Sequence, residues 1–252
     1  MIPYKDDNPQ LITPYATYSL VTLNIFCWLV VQNSGVEPEF TKSICEYALF
    51  STEFTNENLT NDCQKNNIGI TGIFSSMFLH GSWLHLLGNM LFLWIFGGNV
   101  EDSMGSFRFI IFYFISGSIA AFFQIISDLG SIVPMVGASG AIGGVMGAYI
   151  LLYPRVKVHI FVFFILAFPL RIPAYVMLGY WFGLQLISGI TTDSSSGGVA
   201  FWAHVGGFLG GAILSVIFKD EELLCGHEYY GWSTRKDPKN IWEIPENKHN
   251  HE

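Results

Sequence analysis

Apolar residues gather into six segments, at about 15–32, 73–99, 107–127, 138–153, 174–190 and 201–218, with polar or charged stretches between them. Each is long enough, or nearly so, to cross the ~30 Å hydrocarbon core as a helix. The pattern predicts an all-α membrane protein, a six-transmembrane-helix bundle over 15–218. A short N-terminal segment (1–14) precedes it and a polar tail (219–252) follows. A seventh apolar stretch, Val158 to Leu170, is bracketed by Pro154 and Pro169. It has about 13 residues where a spanning helix needs ~20, so it reads as an interfacial or re-entrant piece, not a crossing.

Composition agrees with this class. Hydrophobic residues make up 51% of the chain and charged ones 13%, with a mean hydropathy of +0.41. Few soluble proteins combine these values. The net charge of −8 comes largely from the first loop and the tails. No basic stripe is present that would bind nucleic acid. Residues 1–14 are polar and carry Asp6 and Asp7, unlike a cleavable signal.

Charge decides orientation. With six crossings, Lys5, Arg108, Arg155, Lys157, Arg171 and Lys219 fall on one side, and only Lys42 and Lys65 on the other. The positive-inside rule then places both termini in the cytoplasm and the 33–72 loop outside. That loop contains Asn58-Leu59-Thr60, a glycosylation sequon in a host that glycosylates. It also contains Cys45 and Cys63, the only cysteines on the oxidising side. They are a candidate disulfide pair; the alternative is two unpaired loop thiols. Cys27 and Cys225 are expected outside any disulfide. The tail is expected to be cytoplasmic and partly disordered.

Candidate chemistry lies inside the apolar segments. The fourth has 16 residues, about 24 Å of helix, less than the hydrocarbon thickness. Arg155 and Lys157 pin its inner end, so its outer end is recessed, and Ser139 in Gly137-Ala138-Ser139-Gly140 sits there. The loop before it must dip inward, which is tolerated where backbone lines a wet cavity. Ser139 is also at a helix N-terminus, where unpaired N–H groups can stabilise an oxyanion. Taken alone, a serine N-cap followed by packing glycines explains the segment as well. His204, in Ala203-His204-Val205-Gly206-Gly207, changes that balance. It lies at a matching depth on the sixth segment, and a histidine in lipid needs a polar partner. Small residues on both segments, Gly140 and Gly144 with Gly207 and Gly211, let the helices approach closely. Nucleophile and general base are the expected roles, as a dyad. Asp193, just outside the spans, reads as a loop residue, and no acidic group stands near His204.

A third cluster is His80-x4-His85-x3-Asn89 on the second segment. His85 and Asn89 are four apart and share a face directed into the bundle. Both can donate to an oxyanion. His80 falls on a different face and suits a structural role. A zinc site built from His80, His85 and His204 competes with this reading. It lacks a His-Glu-x-x-His motif and any nearby carboxylate, so no metal or other cofactor is expected.

These clusters, in this order, resemble the rhomboid family of intramembrane serine proteases over roughly Phe74 to Phe218. Gly97-x3-Glu101-x3-Gly105 is similar to the family's Gly-Glu-Gly stretch. The resemblance implies peptide-bond hydrolysis by a Ser139–His204 dyad. It implies an oxyanion hole of His85, Asn89 and the Ser139 N–H, a structural or water-organising His80, and a Glu101 that ties down the external loop from below. Gly137 and Gly140 would be structural residues beside the site. The implied substrates are transmembrane proteins cleaved near the outer face of the membrane, the cell membrane being the expected location. Three positions depart from the family pattern. Thr71 and Gly72 stand where many members have Trp-Arg, so the loop is expected to be anchored differently. Gly143 stands where members often carry an aromatic against the histidine, which leaves Phe201 or Trp202 as substitutes. A non-catalytic membrane-protein binder on the same scaffold is the alternative reading, disfavoured because Ser139 and His204 are both present. A small transporter is a third, disfavoured by the absence of an internal repeat.

Overall fold

A backbone surrounded by lipid must satisfy its own hydrogen bonds, so the apolar segments become helices. The computed structural model describes residues 1–55, 63, 69–163, 167–192, 198–225 and 227–231. The sequon at Asn58, Lys65, Asp193 and the tail from 232 onward lie outside the described residues.

Helix α1 (Tyr15–Phe26) continues into a π-helical turn, Cys27–Val31. After two short helices, α2 (Glu39–Tyr47) and α3 (Ile70–Ser75), come α4 (Trp83–Asp102), α5 (Ser106–Ser127) and α6 (Ser139–Leu152). Helices α7 (Ala174–Thr191), α8 (Phe201–Phe218) and α9 (Glu221–Leu224) follow. Among the described residues, α4, α5 and α8 are long and apolar enough to cross a membrane, and Tyr15–Val31 and α6 are shorter apolar helices. The protein is an integral membrane protein. The second predicted segment starts too early. Its helix begins at Trp83, because the Ser82 side chain accepts the His85 N–H and caps it there.

The all-α expectation is corrected by a three-stranded antiparallel sheet in the order β1 (Ile2–Asp6), β2 (Lys157–Phe163), β3 (Ala167–Pro173). The stretch read as interfacial or re-entrant is therefore a hairpin, with Lys157 opposite Pro173 and Phe163 opposite Ala167. Val158 and Ile160 enter the main core. Their partner strand, β1, is more than 150 residues away in sequence and invisible to local pattern. Pro3 and Pro169 sit on the two edge strands, where a missing N–H costs no ladder bond.

The first part of the tail, as far as residue 231, packs on the membrane domain. Asp220 caps α9 through the Glu222 N–H and pairs with Arg108 at 3.0 Å. The Gly231 N–H then donates to the Leu152 carbonyl at 2.8 Å. Glu101 also differs from its expected role. It is fully buried and accepts from the Ala16 and Thr17 N–H groups and the Thr17 and Ser106 hydroxyls. It lies sixteen residues beyond His85 on α4, about 24 Å along the axis. It anchors the start of α1, not the 33–72 loop.

That loop is held by other means. Cys45 and Cys63 form a disulfide; Cys27 and Cys225 are outside any disulfide. Leu49 and Met135 exchange backbone hydrogen bonds of 3.1 and 2.8 Å. Ser75 Oγ donates to the Tyr47 carbonyl at 2.8 Å. Gly72, one of the three positions that depart from the family pattern, lies against the backbone of Ala48 and Leu49.

Candidate active site

Close packing of α6 on α8 builds the site. A Cβ added to Gly207 would lie 2.0 Å from the Gly140 carbonyl oxygen, and one on Gly147 2.0 Å from that of Phe208. Only hydrogen fits at these crossings, so the two backbones touch. This brings the first residue of α6, Ser139, opposite the first turn of α8. There, His204 Nε2 lies 2.7 Å from Ser139 Oγ. His204 is buried, 8% exposed.

Two further contacts orient the imidazole. Gln185 Oε1 on α7 lies 2.7 Å from His204 Nδ1. A carbonyl oxygen only accepts, so Nδ1 carries the proton and Nε2 presents its lone pair to the serine hydroxyl. The Trp181 ring, one turn earlier on α7, lies 5.6 Å from the imidazole. Trp181 thus supplies the aromatic contact for which Phe201 or Trp202 were the expected candidates. The reason is visible at Gly143, whose added Cβ would meet the His204 carbonyl oxygen at 3.1 Å. The backbone of α8 occupies the space that a ring on α6 would need.

His85 and Asn89, one turn apart on α4, face Ser139 across a cleft of about 820 Å³ whose lining includes all three, His204, Trp181 and Met146. The Gly81 N–H donates to His85 Nδ1 at 3.3 Å. His85 Nε2 then holds the proton and is a donor. It borders Gly137, where a Cβ would lie 2.8 Å from the ring. Gly137 also has φ +124°, a backbone conformation that disfavours side chains, and its N–H donates to the Ser76 carbonyl at 2.8 Å. Asn89 Nδ2 is buried without a hydrogen-bond partner among the described residues. A buried amide donor left unmade beside a cleft is costly in the resting protein and available to an incoming acceptor.

His80 stands behind this row. It is fully buried, its ring 5.1 Å from that of His85. Both of its backbone groups are bonded by one side chain, Gln32, whose Nε2 donates to His80 O and whose Oε1 accepts from His80 N, each at 2.8 Å. The Gln32 amide works here as a substitute peptide group, fixing the turn into α4. Among the described residues no group of three or more His, Cys, Asp or Glu is placed to hold a metal ion.

Four of the expected residues therefore meet around one cleft, Ser139, His204, His85 and Asn89, and Gly137 packs behind it against the His85 ring. Gly140 lies in the α6–α8 contact that positions them, and Glu101 lies elsewhere. Gln185, Trp181 and Gln32 were missed. The available signal was a lone glutamine in each of two apolar helical segments, a polar group that needs a partner in lipid.

A family model for the Rhomboid domain matches residues 69–221. The rhomboid protease AarA of Providencia stuartii is 29% identical over 239 residues, covering 85% of this chain and 79% of that protein. Rhomboid protein 1, mitochondrial, of Saccharomyces cerevisiae is 36% identical over 95 residues, 36% of this chain and 28% of the relative. The mouse Presenilin-associated rhomboid-like protein, mitochondrial, is 27% identical over 169 residues, 66% of this chain. The chain spans 41% of that mouse protein's length, so both mitochondrial relatives extend well beyond the matched region.

Proposed function

We propose, from the premise that this chain belongs to the rhomboid family, that it is an intramembrane serine endopeptidase acting through Ser139 and His204. The observation that carries the reading is the 2.7 Å hydrogen bond from Ser139 Oγ to the unprotonated nitrogen of His204. In this reading His204 Nε2 takes the hydroxyl proton as Ser139 Oγ attacks a peptide carbonyl of the substrate. The oxyanion that forms receives hydrogen bonds from His85 Nε2–H, the Asn89 amide and the Ser139 backbone N–H. His204 then delivers its proton to the departing amine. A water attacks the acyl-enzyme, with His204 again as base, and the serine is regenerated. No cofactor enters any step.

The substrates are transmembrane proteins that present an extended segment near the outer face of the membrane, because an intact helix hides its carbonyls. The membrane domain covers 15–218 and crosses six times, with both termini cytoplasmic and the cleft opening to the outside of the cell membrane. The excess of Lys and Arg on the side of β2 and β3 supports that orientation.

A fluorophosphonate serine probe tests the reading on purified protein, with peptide mapping of the label. Label on Ser139, absent in His204→Ala, is the expected result. Ser139→Ala and His204→Ala should both abolish cleavage of a transmembrane reporter without unfolding the protein. Cleavage retained in either variant would reject the dyad.

A further inference from the structure

The dyad contains no carboxylate, yet His204 is held as tightly on its far side as on its near side. Gln185 Oε1 and Ser139 Oγ each lie 2.7 Å from an imidazole nitrogen. A neutral imidazole carries one proton, and it can act as base toward Ser139 only when that proton is on Nδ1. Left alone, the ring can take either tautomer and rotate about its own axis. Gln185 removes both freedoms, because its carbonyl oxygen bonds only a protonated Nδ1.

We propose that Gln185 is a positioning residue that fixes the tautomer and orientation of His204. The inference rests on the dyad reading above. Helix geometry supports it independently of that single distance. Trp181 and Gln185 are four apart and share one face of α7. Trp181 lies near the imidazole while Gln185 takes its edge, so one helix supplies both constraints. Gly189, a further turn along the same face, is packed by Trp202, its added Cβ falling 3.3 Å from that ring. This face of α7 is therefore seated on the start of α8 over two turns. An amide also suits the location. An ionised carboxylate at this place in an apolar bundle would carry a desolvation cost that a neutral amide avoids.

Two substitutions separate orientation from packing. Gln185→Met keeps side-chain length and removes the acceptor. Gln185→Glu keeps length and an acceptor oxygen. The measurements are the rate of fluorophosphonate labelling of Ser139, kcat and KM on a transmembrane reporter in lipid, and the unfolding temperature. We expect Gln185→Met to lower kcat and labelling rate by roughly 10²-fold, as loss of aligned general-base action does. KM and unfolding temperature should stay near those of the unmodified protein, and Gln185→Glu should recover most of the rate. A Met variant that labels as fast as the unmodified protein would overturn the proposal. So would equal losses in folded Met and Glu variants, which would mean that an acceptor oxygen at this place is not what holds His204 productive. Failure of the dyad itself reads differently: the unmodified protein would then leave Ser139 unlabelled, and this inference would fall with it.

Discussion

Gly211 and Gly144 meet backbone to backbone: a Cβ on Gly211 would lie 2.1 Å from the Gly144 carbonyl oxygen. With the Gly207–Gly140 contact one turn away, this crossing holds α8 against α6 and sets the separation of Ser139 from His204. In lipid, helices gain nothing from the hydrophobic effect by associating, so close backbone packing carries the contact.

Gly211→Ala should therefore separate the helices. We expect a loss of stability of about 1–3 kcal/mol from overpacking and a large fall in Ser139 labelling. Gly183→Ala is the control, since an added Cβ there meets nothing within 4 Å. Unfolding temperatures in detergent check this. Equal values for the two variants would mean that the crossing adapts.

Asn89→Ala removes a buried donor that is unpaired among the described residues. As an oxyanion donor it should contribute roughly 10²-fold or more to kcat. Its loss should leave the resting fold intact, because no partner among the described residues is deprived of a bond. Steady-state cleavage of a reporter decides the point, and a near-normal rate would take Asn89 out of this role.

Glu101 collects four hydrogen bonds at the N-termini of α1 and α5. Its negative charge also faces the positive ends of both helices. Glu101→Ala strands these donors in a buried place, and we expect about 2–4 kcal/mol of lost stability. Since the residue is far from the cleft, Ser139 in the molecules that remain folded should label at the usual rate. A labelling rate that falls with no change in unfolding temperature would contradict a purely anchoring role.

The docked part of the tail should respond to pH through His227. Its ring is buried beside Tyr153, 3.7 Å from the Asp102 carboxylate. Burial holds the imidazole down to about 4 from its ordinary 6.5. The undocked chain therefore binds the proton more readily. Docking is at full strength above about 6.5 and weakens as pH falls through the window toward 4. Comparison with His227→Phe isolates the histidine. Limited proteolysis of the tail between pH 7 and 4.5 should show acid-induced cutting in the unmodified protein and a weaker dependence in the variant. Identical profiles would refute the assignment.

Much of this architecture follows from the chain read alone. Apolar runs of about spanning length must become helices, whatever surrounds them, because lipid offers their backbone no partners. A serine after Gly137 at a short helix, a histidine among small residues, and His85 and Asn89 at one-turn spacing were conspicuous for the same reason: polar side chains in lipid are expensive. Local sequence therefore determined most helices and the members of the polar cluster. Tertiary structure alone decided what each of them meets. Gln185 is an isolated amide on α7, and nothing in its neighbours reveals that it reaches His204. Trp181 replaces an aromatic on α6 because α8 fills the space beside Gly143. Glu101 serves α1, and residues 2–6 pair with a strand that local pattern read as an interfacial or re-entrant piece. Each of these depends on contacts between residues far apart in sequence. Such contacts are set by which helices can approach closely and which backbone edges remain unpaired, and neither property is carried by a local run of residues.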